Sequence, residues 1–238
     1  MSREALIERF FNALISGDRN ASRQIVDNLL QADIPARAIM SQLFWPTLEH
    51  IQKLYRHDQM SDMAHHLATR LLRNLADQMQ LRLEQNERNG RTAMVLCGPE
   101  ESEEIGAQMA ADMLEADGYE VYFVGGGVAN DEIVAQIGQL NTNVLVVFGV
   151  VPSTVPFTRL LIDRLHEIGA CPKLQIAVGG GVFNRAEGLA EEIGADLWAS
   201  SPLELCESLA ANPNKRMNDS QRTVGRKRRT PAKHSEAA

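Results

Sequence analysis

One stretch restricts the folds open to this 238-residue chain more than any other. A mostly apolar run, Thr92-Ala93-Met94-Val95-Leu96-Cys97, leads through the carboxylate-rich turn Gly98-Pro99-Glu100-Glu101-Ser102-Glu103-Glu104-Ile105-Gly106 into a helical pattern that lasts to Asp117-Gly118. Tyr119 to Val124 then reads as a second short strand, closed by Gly125-Gly126-Gly127. Strand, helix and strand in so short a span make a βαβ unit, which requires parallel strands and a right-handed crossover. Parallel sheets of this kind bind ligands just beyond the carboxyl ends of their strands, so the turn at 98–106 lies where chemistry is expected.

The alternation continues downstream. Strands are predicted near 92–97, 120–124, 144–148, 174–178 and around Leu197-Trp198, with helices near 102–117, 130–140, 154–169, 184–194 and 202–211. Five parallel strands with intervening helices predict a doubly wound, flavodoxin-like α/β domain over residues 90–211. Residues 1–89 read instead as an all-α bundle of four or five helices. Ser2 is a candidate N-cap for the first helix, Ala21 to Leu30 suggests a second, and Pro35 suits the first turn of a third that Pro46 should kink or split. Ser61 caps a last helix whose face carries Met63, Leu67, Leu71, Leu75, Met79 and Leu83, with Asn89-Gly90 as its stop. No glycine-rich linker separates bundle from first strand, so the two halves should touch.

Composition removes several function classes. With 44% hydrophobic and 23% charged residues the chain is an ordinary globular one. No apolar run approaches the roughly 20 residues of a membrane helix, and a cytoplasmic location without membrane contact is expected. Cys97, Cys171 and Cys206 have neither even number nor CxxC spacing, and read as small apolar residues rather than a disulfide framework or zinc site. There is no Walker motif and no evident nucleophile–base pair, so the chain is not expected to be an enzyme by itself. The net charge of −7 is uneven: from Asn212 onward eight Lys/Arg face two Asp/Glu, a balance of +6, which leaves 16 basic against 29 acidic residues, or −13, elsewhere. Residues 212–238 carry almost no large apolar side chain and should be a disordered basic tail. Its run Arg226-Lys227-Arg228-Arg229 offers a contact for nucleic acid or a regulatory protein partner, or serves only to solubilise.

The order of parts, together with local motifs, resembles the cobalamin-binding module of corrinoid methyltransferases and of CarH-type B12-dependent photoreceptor repressors. In that family the first βα turn carries Asp-x-His-x-x-Gly, whose histidine reaches cobalt as lower axial ligand; here Glu101-x-Glu103-x-x-Gly106 stands in its place. Ser153 resembles the serine after the third strand that faces the nucleotide tail, and Gly179-Gly180 the glycine pair along which the tail passes. In the bundle, Tyr55, His65 and His66 match the spacing of a Trp and a Glu-His pair that lie over the upper corrin face. The resemblance implies that Tyr55, His65, His66, Glu101, Glu103, Gly106, Ser153, Gly179 and Gly180 line a cobalamin site, with His66 as the candidate metal ligand and no lower axial histidine. Haem is the alternative tetrapyrrole.

Each of these residues has a second reading. Glu101, Glu103 and Glu104 favour the N-terminus of the helix that Ser102 can cap, with no ligand needed. His65 and His66 point about 100° apart on a helix and cannot face one ligand together. Glycines in βα turns are also plain turn chemistry. Trp45 and Trp198 read as core or interface aromatics. Three functions therefore stand open: a sensory or regulatory module that binds cobalamin between bundle and sheet and self-associates through the bundle; a corrinoid carrier subunit of a methyltransferase system; and a ligand-free interaction scaffold.

Overall fold

The computed structural model describes residues 2–99, 101–149, 151–169 and 171–217, the side chains of Glu101 and Ser102 excepted. The basic run 226–229 and most of the expected tail lie outside the described residues.

Capping sets the first helices. Ser2 accepts a hydrogen bond from the Ala5 amide to start α1 (Arg3–Ile15), and Asp18 accepts one from Ala21 to start α2 (Arg19–Gln31). Pro35 precedes α3 (Ala36–Ile39), which runs without a break through a π-helical turn (Met40–Phe44) into α4 (Trp45–Arg56). That turn is how the chain accommodates Pro46: the widened ladder replaces the sharp kink expected for a residue lacking an N–H. Ser61 accepts from Ala64 and opens α5 (Asp62–Gln80).

Two expectations about α5 need correction. The helix ends at Gln80, not at Asn89-Gly90. Residues beyond it are drawn away by pairing with the end of the next helix, through Asn86 N–H to Ala116 O (2.8 Å) and Asn89 N–H to Gly118 O (2.9 Å). Gly118 makes that approach possible, because a Cβ there would lie 2.1 Å from Glu87 O. Leu71, Leu75, Met79 and Leu83 are buried as the periodicity implies, but Met63 is 70% exposed and Leu67 39%. Both line a groove beside Gly17 and Arg19 instead of the core.

From β1 (Thr92–Cys97) the chain alternates through α6 (Glu101–Ala116), β2 (Glu120–Gly125), α7 (Asn130–Leu140), β3 (Val144–Phe148), α8 (Thr154–Ile168) and β4 (Gln175–Gly179). The helix expected over 184–194 is two short ones, α9 (Gly181–Arg185) and α10 (Leu189–Ile193), parted by Gly188 at φ +78°. β5 (Leu197–Ala199) and α11 (Pro202–Ala211) complete the order. All pairings are parallel and the strands lie in the order β2-β1-β3-β4-β5. This is the doubly wound, flavodoxin-like arrangement predicted from the alternation.

Strand residues alternate between two cores, as a period of two demands. Ala93, Val95, Cys97, Val144, Val146, Phe148 and Ala177 face one side, where α6, α11 and the whole bundle join them in a single continuous core. Met94, Leu96, Leu145, Val147, Ile176 and Val178 face α7 and α8. The bundle is therefore packed onto one layer of the sheet domain. Below the opposite end of the strands, buried Gln175 donates to Asn212 O (2.8 Å) and Lys215 O (3.2 Å), which straps residues 212–217 under the sheet.

Candidate functional site

A doubly wound sheet presents its ligand crevice where connections leave in opposite directions, here between β1 and β3. Five glycines shape that end of the sheet. A Cβ on Gly126 would lie 2.1 Å from Gly98 O, and one on Gly180 2.4 Å from Gly149 O, so the loops after β1 and β2, and after β3 and β4, lie against one another. Gly180 also requires its positive φ of +94°. Gly179 lies at the end of β4, where a Cβ would be 2.6 Å from Phe148 Cε2. Packing therefore accounts for the glycine pair 179–180.

Glu103 occupies the crevice. The residue is fully buried, and its Oε1 accepts from the Thr154 hydroxyl at 2.7 Å and from the Val151 amide at 3.2 Å. Its other oxygen lies against Gly98, where a Cβ would come within 1.8 Å. The carboxylate thus ties the first turn of α6 to the loop after β3. Glu104, one residue on, points the other way and pairs with Arg73 of α5 at 2.6 Å. Ser153, the residue singled out from sequence, is exposed and makes no side-chain cap to α8; Thr154 beside it is buried and carries the contact. The sequence signal for Thr154 is only that a hydroxyl follows Ser153 at a helix start.

Gly106 faces the bundle rather than the crevice. A Cβ there would be 3.1 Å from Trp45 Cζ3 and 3.3 Å from Phe148 Cδ1. Trp45 in turn meets Phe148 edge to face, with ring centroids 5.6 Å apart. This notch docks α4 against the sheet, and Glu49 further along α4 reaches the side chain of Asn184 in α9. Trp45 is thereby an interface aromatic, whereas Trp198 on β5 is 44% exposed.

The bundle residues sit at the same pole. Arg73 pairs with Glu104, Asp77 with Gln108 and Gln80 with Glu115, so α5 and α6 run side by side in the same direction. His66 lies two turns, about 10 Å, before Arg73 on the same face and overhangs the start of α6. His65 is buried and stacks on Tyr55 at 3.9 Å between centroids and 13° between planes. The Tyr55 hydroxyl contacts Asp62 at 3.1 Å. Burial, and secondarily His66, lowers the His65 pKa, against a raising contribution from Asp62. His66 stands edge-on to His65 at 86° and 6.0 Å, and its ring is exposed. It lines a groove of about 380 Å³ with Gly17, Arg19, Met63, Leu67 and Arg70. The two histidines therefore diverge, as helix geometry requires. Among the described residues no group of His, Cys, Asp and Glu is arranged to hold a metal ion. Cys97, at the end of β1, is pushed up to about 12 by burial, with Glu104 and Glu103 adding and Arg73 opposing.

The chain resembles known proteins in sequence and in fold. Residues 91–206 match the model of a B12 binding domain, and residues 6–78 match a second B12 binding domain model. The chain is similar to dimethylamine corrinoid protein 1 of Methanosarcina mazei, 30% identical over 101 residues, covering 42% of this chain and 46% of that protein. Dimethylamine corrinoid protein 3 of the same organism is 28% identical over the same length, covering 42% of this chain and 59% of that protein. The chain thus spans about half the length of the curated relatives it matches. In fold it resembles the structure of Methanosarcina barkeri monomethylamine corrinoid protein, with a TM-score of 0.76 at 17% identity, over 88% of this chain and 99% of that one.

Proposed function

We propose that this chain, whose helical and sheet portions each match a B12 binding domain model, holds a corrinoid between them and presents it to a partner protein as a carrier. The observation that carries this reading is the overhang of α5, which sets His65 and His66, with Tyr55 of α4 stacked on His65, beyond the start of α6, at the pole where the glycine loops gather. The names of the relatives, all dimethylamine corrinoid proteins, support a carrier role. Bound cobalamin would supply a cobalt centre able to accept and release an alkyl group.

The residues present fit such a ligand from above. Tyr55 and His65 form a flat stacked pair braced by Asp62, and the exposed ring of His66 diverges from them toward solvent. They do not supply an imidazole from below: position 103 carries a carboxylate already engaged by Thr154 and Val151. A corrinoid held here would gain no nitrogen donor from this chain on that side. That feature favours a second reading, a regulatory module, since a carrier that cycles cobalt between oxidation states profits from an exchangeable histidine. The exposed Met63 and Leu67 support self-association in that reading.

The test is the visible absorption spectrum of the protein after incubation with methylcobalamin, adenosylcobalamin or haemin and desalting, with its mass by light scattering. Retained corrinoid of the benzimidazole-ligated type and an unchanged mass are expected of the carrier. A mass that changes with corrinoid or light favours the regulatory module, retained haemin alone overturns the choice of ligand, and no retained chromophore removes both readings and leaves a scaffold.

A further inference from the structure

Away from the crevice, a second carboxylate is buried where the bundle meets the sheet domain. Asp112 lies one turn after Gln108 and one turn before Glu115 on α6, in the stripe that runs along α5. It is only 6% exposed, and its Oδ2 meets no hydrogen-bond donor. Asp77 faces it from α5 and Glu115 flanks it on α6, so the charges that act on it share its sign. Arg73 of the same seam pairs with Glu104, two turns nearer the start of α6.

Among the described residues, the other elements packed against α6 bring Asp112 no counter-charge. The thiols buried there are Cys206 of α11, beside Asp117 and Arg37, and Cys97 of β1, beside Glu104, Glu103 and Arg73. Glu204 of α11 is bonded to Ser200, and Glu207 is exposed. On β2 Tyr122 donates to Glu120, β3 is wholly apolar, and Arg82, Glu84, Glu87 and Arg88 after α5 are exposed. Burial, then Asp77 and Glu115, therefore favours the neutral acid for as long as α5 stays docked.

We infer that Asp112 is a proton-controlled clasp between bundle and sheet domain, which holds α5 against α6 when protonated and loosens it when ionised. α5 also carries His65 and His66 over the pole, so the clasp makes access to a held corrinoid depend on pH. That consequence rests on the carrier reading; the clasp does not. Once α5 lifts, Asp112 meets water and titrates near about 3.9. The docked form has its full advantage below about pH 4 and loses it progressively up to about pH 7, where the opening equilibrium levels off.

The test is amide hydrogen exchange of the full chain between pH 5 and pH 8, followed by mass spectrometry and corrected for the intrinsic rate at each pH. Protection of α5 should be lower than that of β3, and should fall about tenfold per pH unit from 5 to 7 before levelling. Asp112→Asn should abolish that slope. Asp77→Asn keeps the acid and removes one like charge, so levelling should begin at a lower pH, which serves should Asp112→Asn fail to fold. Equal protection of α5 and β3 at every pH, the mark of global unfolding alone, overturns the clasp, as does a slope that survives in Asp112→Asn. Methylcobalamin release, timed by absorbance after desalting, should quicken over the same pH range. A protein that shows the α5 slope but retains no methylcobalamin keeps the clasp and overturns the carrier reading.

Discussion

The carboxylate of Glu103 and the hydroxyl of Thr154 meet at 2.7 Å across the top of the sheet, joining the helix after β1 to the helix after β3. Both groups are buried, so the contact is an element of stability. Thr154→Val removes the donor and leaves the carboxylate with a weaker set of partners. It should destabilise the fold by about 1.5–3 kcal/mol, whereas Thr154→Ser should be close to neutral. Urea unfolding midpoints decide between these values and no effect.

Gly98→Ala is expected to be the harsher change. The new methyl would lie 1.8 Å from Glu103 Oε2 and 2.5 Å from Thr154 Oγ1, so the carboxylate must leave the crevice. A loss of about 3 kcal/mol is anticipated. Adding Glu103→Ala should recover part of it, because the two closest of the new methyl's contacts are then removed while that with Thr154 stays. Strict additivity of the two substitutions in denaturant titrations would show that the residues do not interact.

Trp45 couples the bundle to the sheet through Gly106 and Phe148. Trp45→Ala should cost about 3–5 kcal/mol and make the two halves unfold separately, seen as a second transition by circular dichroism. A single unshifted transition would refute that role.

Asp112 carries a pH dependence. It is buried on α6 with Oδ2 lacking a hydrogen-bond partner, and burial, then Asp77 and Glu115, raise its pKa to about 7. The unfolded chain has it near 3.9, so between those values the folded form holds the extra proton. Its contribution is fully present below about pH 4 and is lost as pH rises through about 7. Asp112→Asn should therefore stabilise the protein at pH 8, by on the order of 2 kcal/mol, and leave it unchanged at pH 4. The comparison is made by thermal or urea unfolding at the two pH values.

The thiols should differ in reactivity. Burial holds Cys97 near 12 and raises Cys206 further, while Cys171 is only partly buried. A thiolate-specific reagent at neutral pH should label Cys171 rapidly in the native protein and reach the other two only on unfolding. Rapid labelling of Cys97 would contradict its buried position at the end of β1.

What the sequence determined by itself was whatever depends on local pattern. Apolar runs separated by helical periods dictated a parallel doubly wound sheet, Ser2 and Ser61 capped the helices they precede, and the spacing from Tyr55 to His66 together with the glycine turns was enough to recognise a B12-binding type of chain. What only the tertiary structure decided depends on which surfaces meet. The end of α5 at Gln80 follows from the pairing of Asn86 with Ala116 and of Asn89 with Gly118 at the end of α6, and no local periodicity records it. The burial of Thr154 instead of Ser153, the fit of Trp45 against Gly106 and the hydrogen bond from Thr154 to Glu103 arise the same way. A carboxylate at a helix start reads identically whether it faces solvent or a hydroxyl 51 residues on, because that partner is fixed by strand order and not by sequence neighbours.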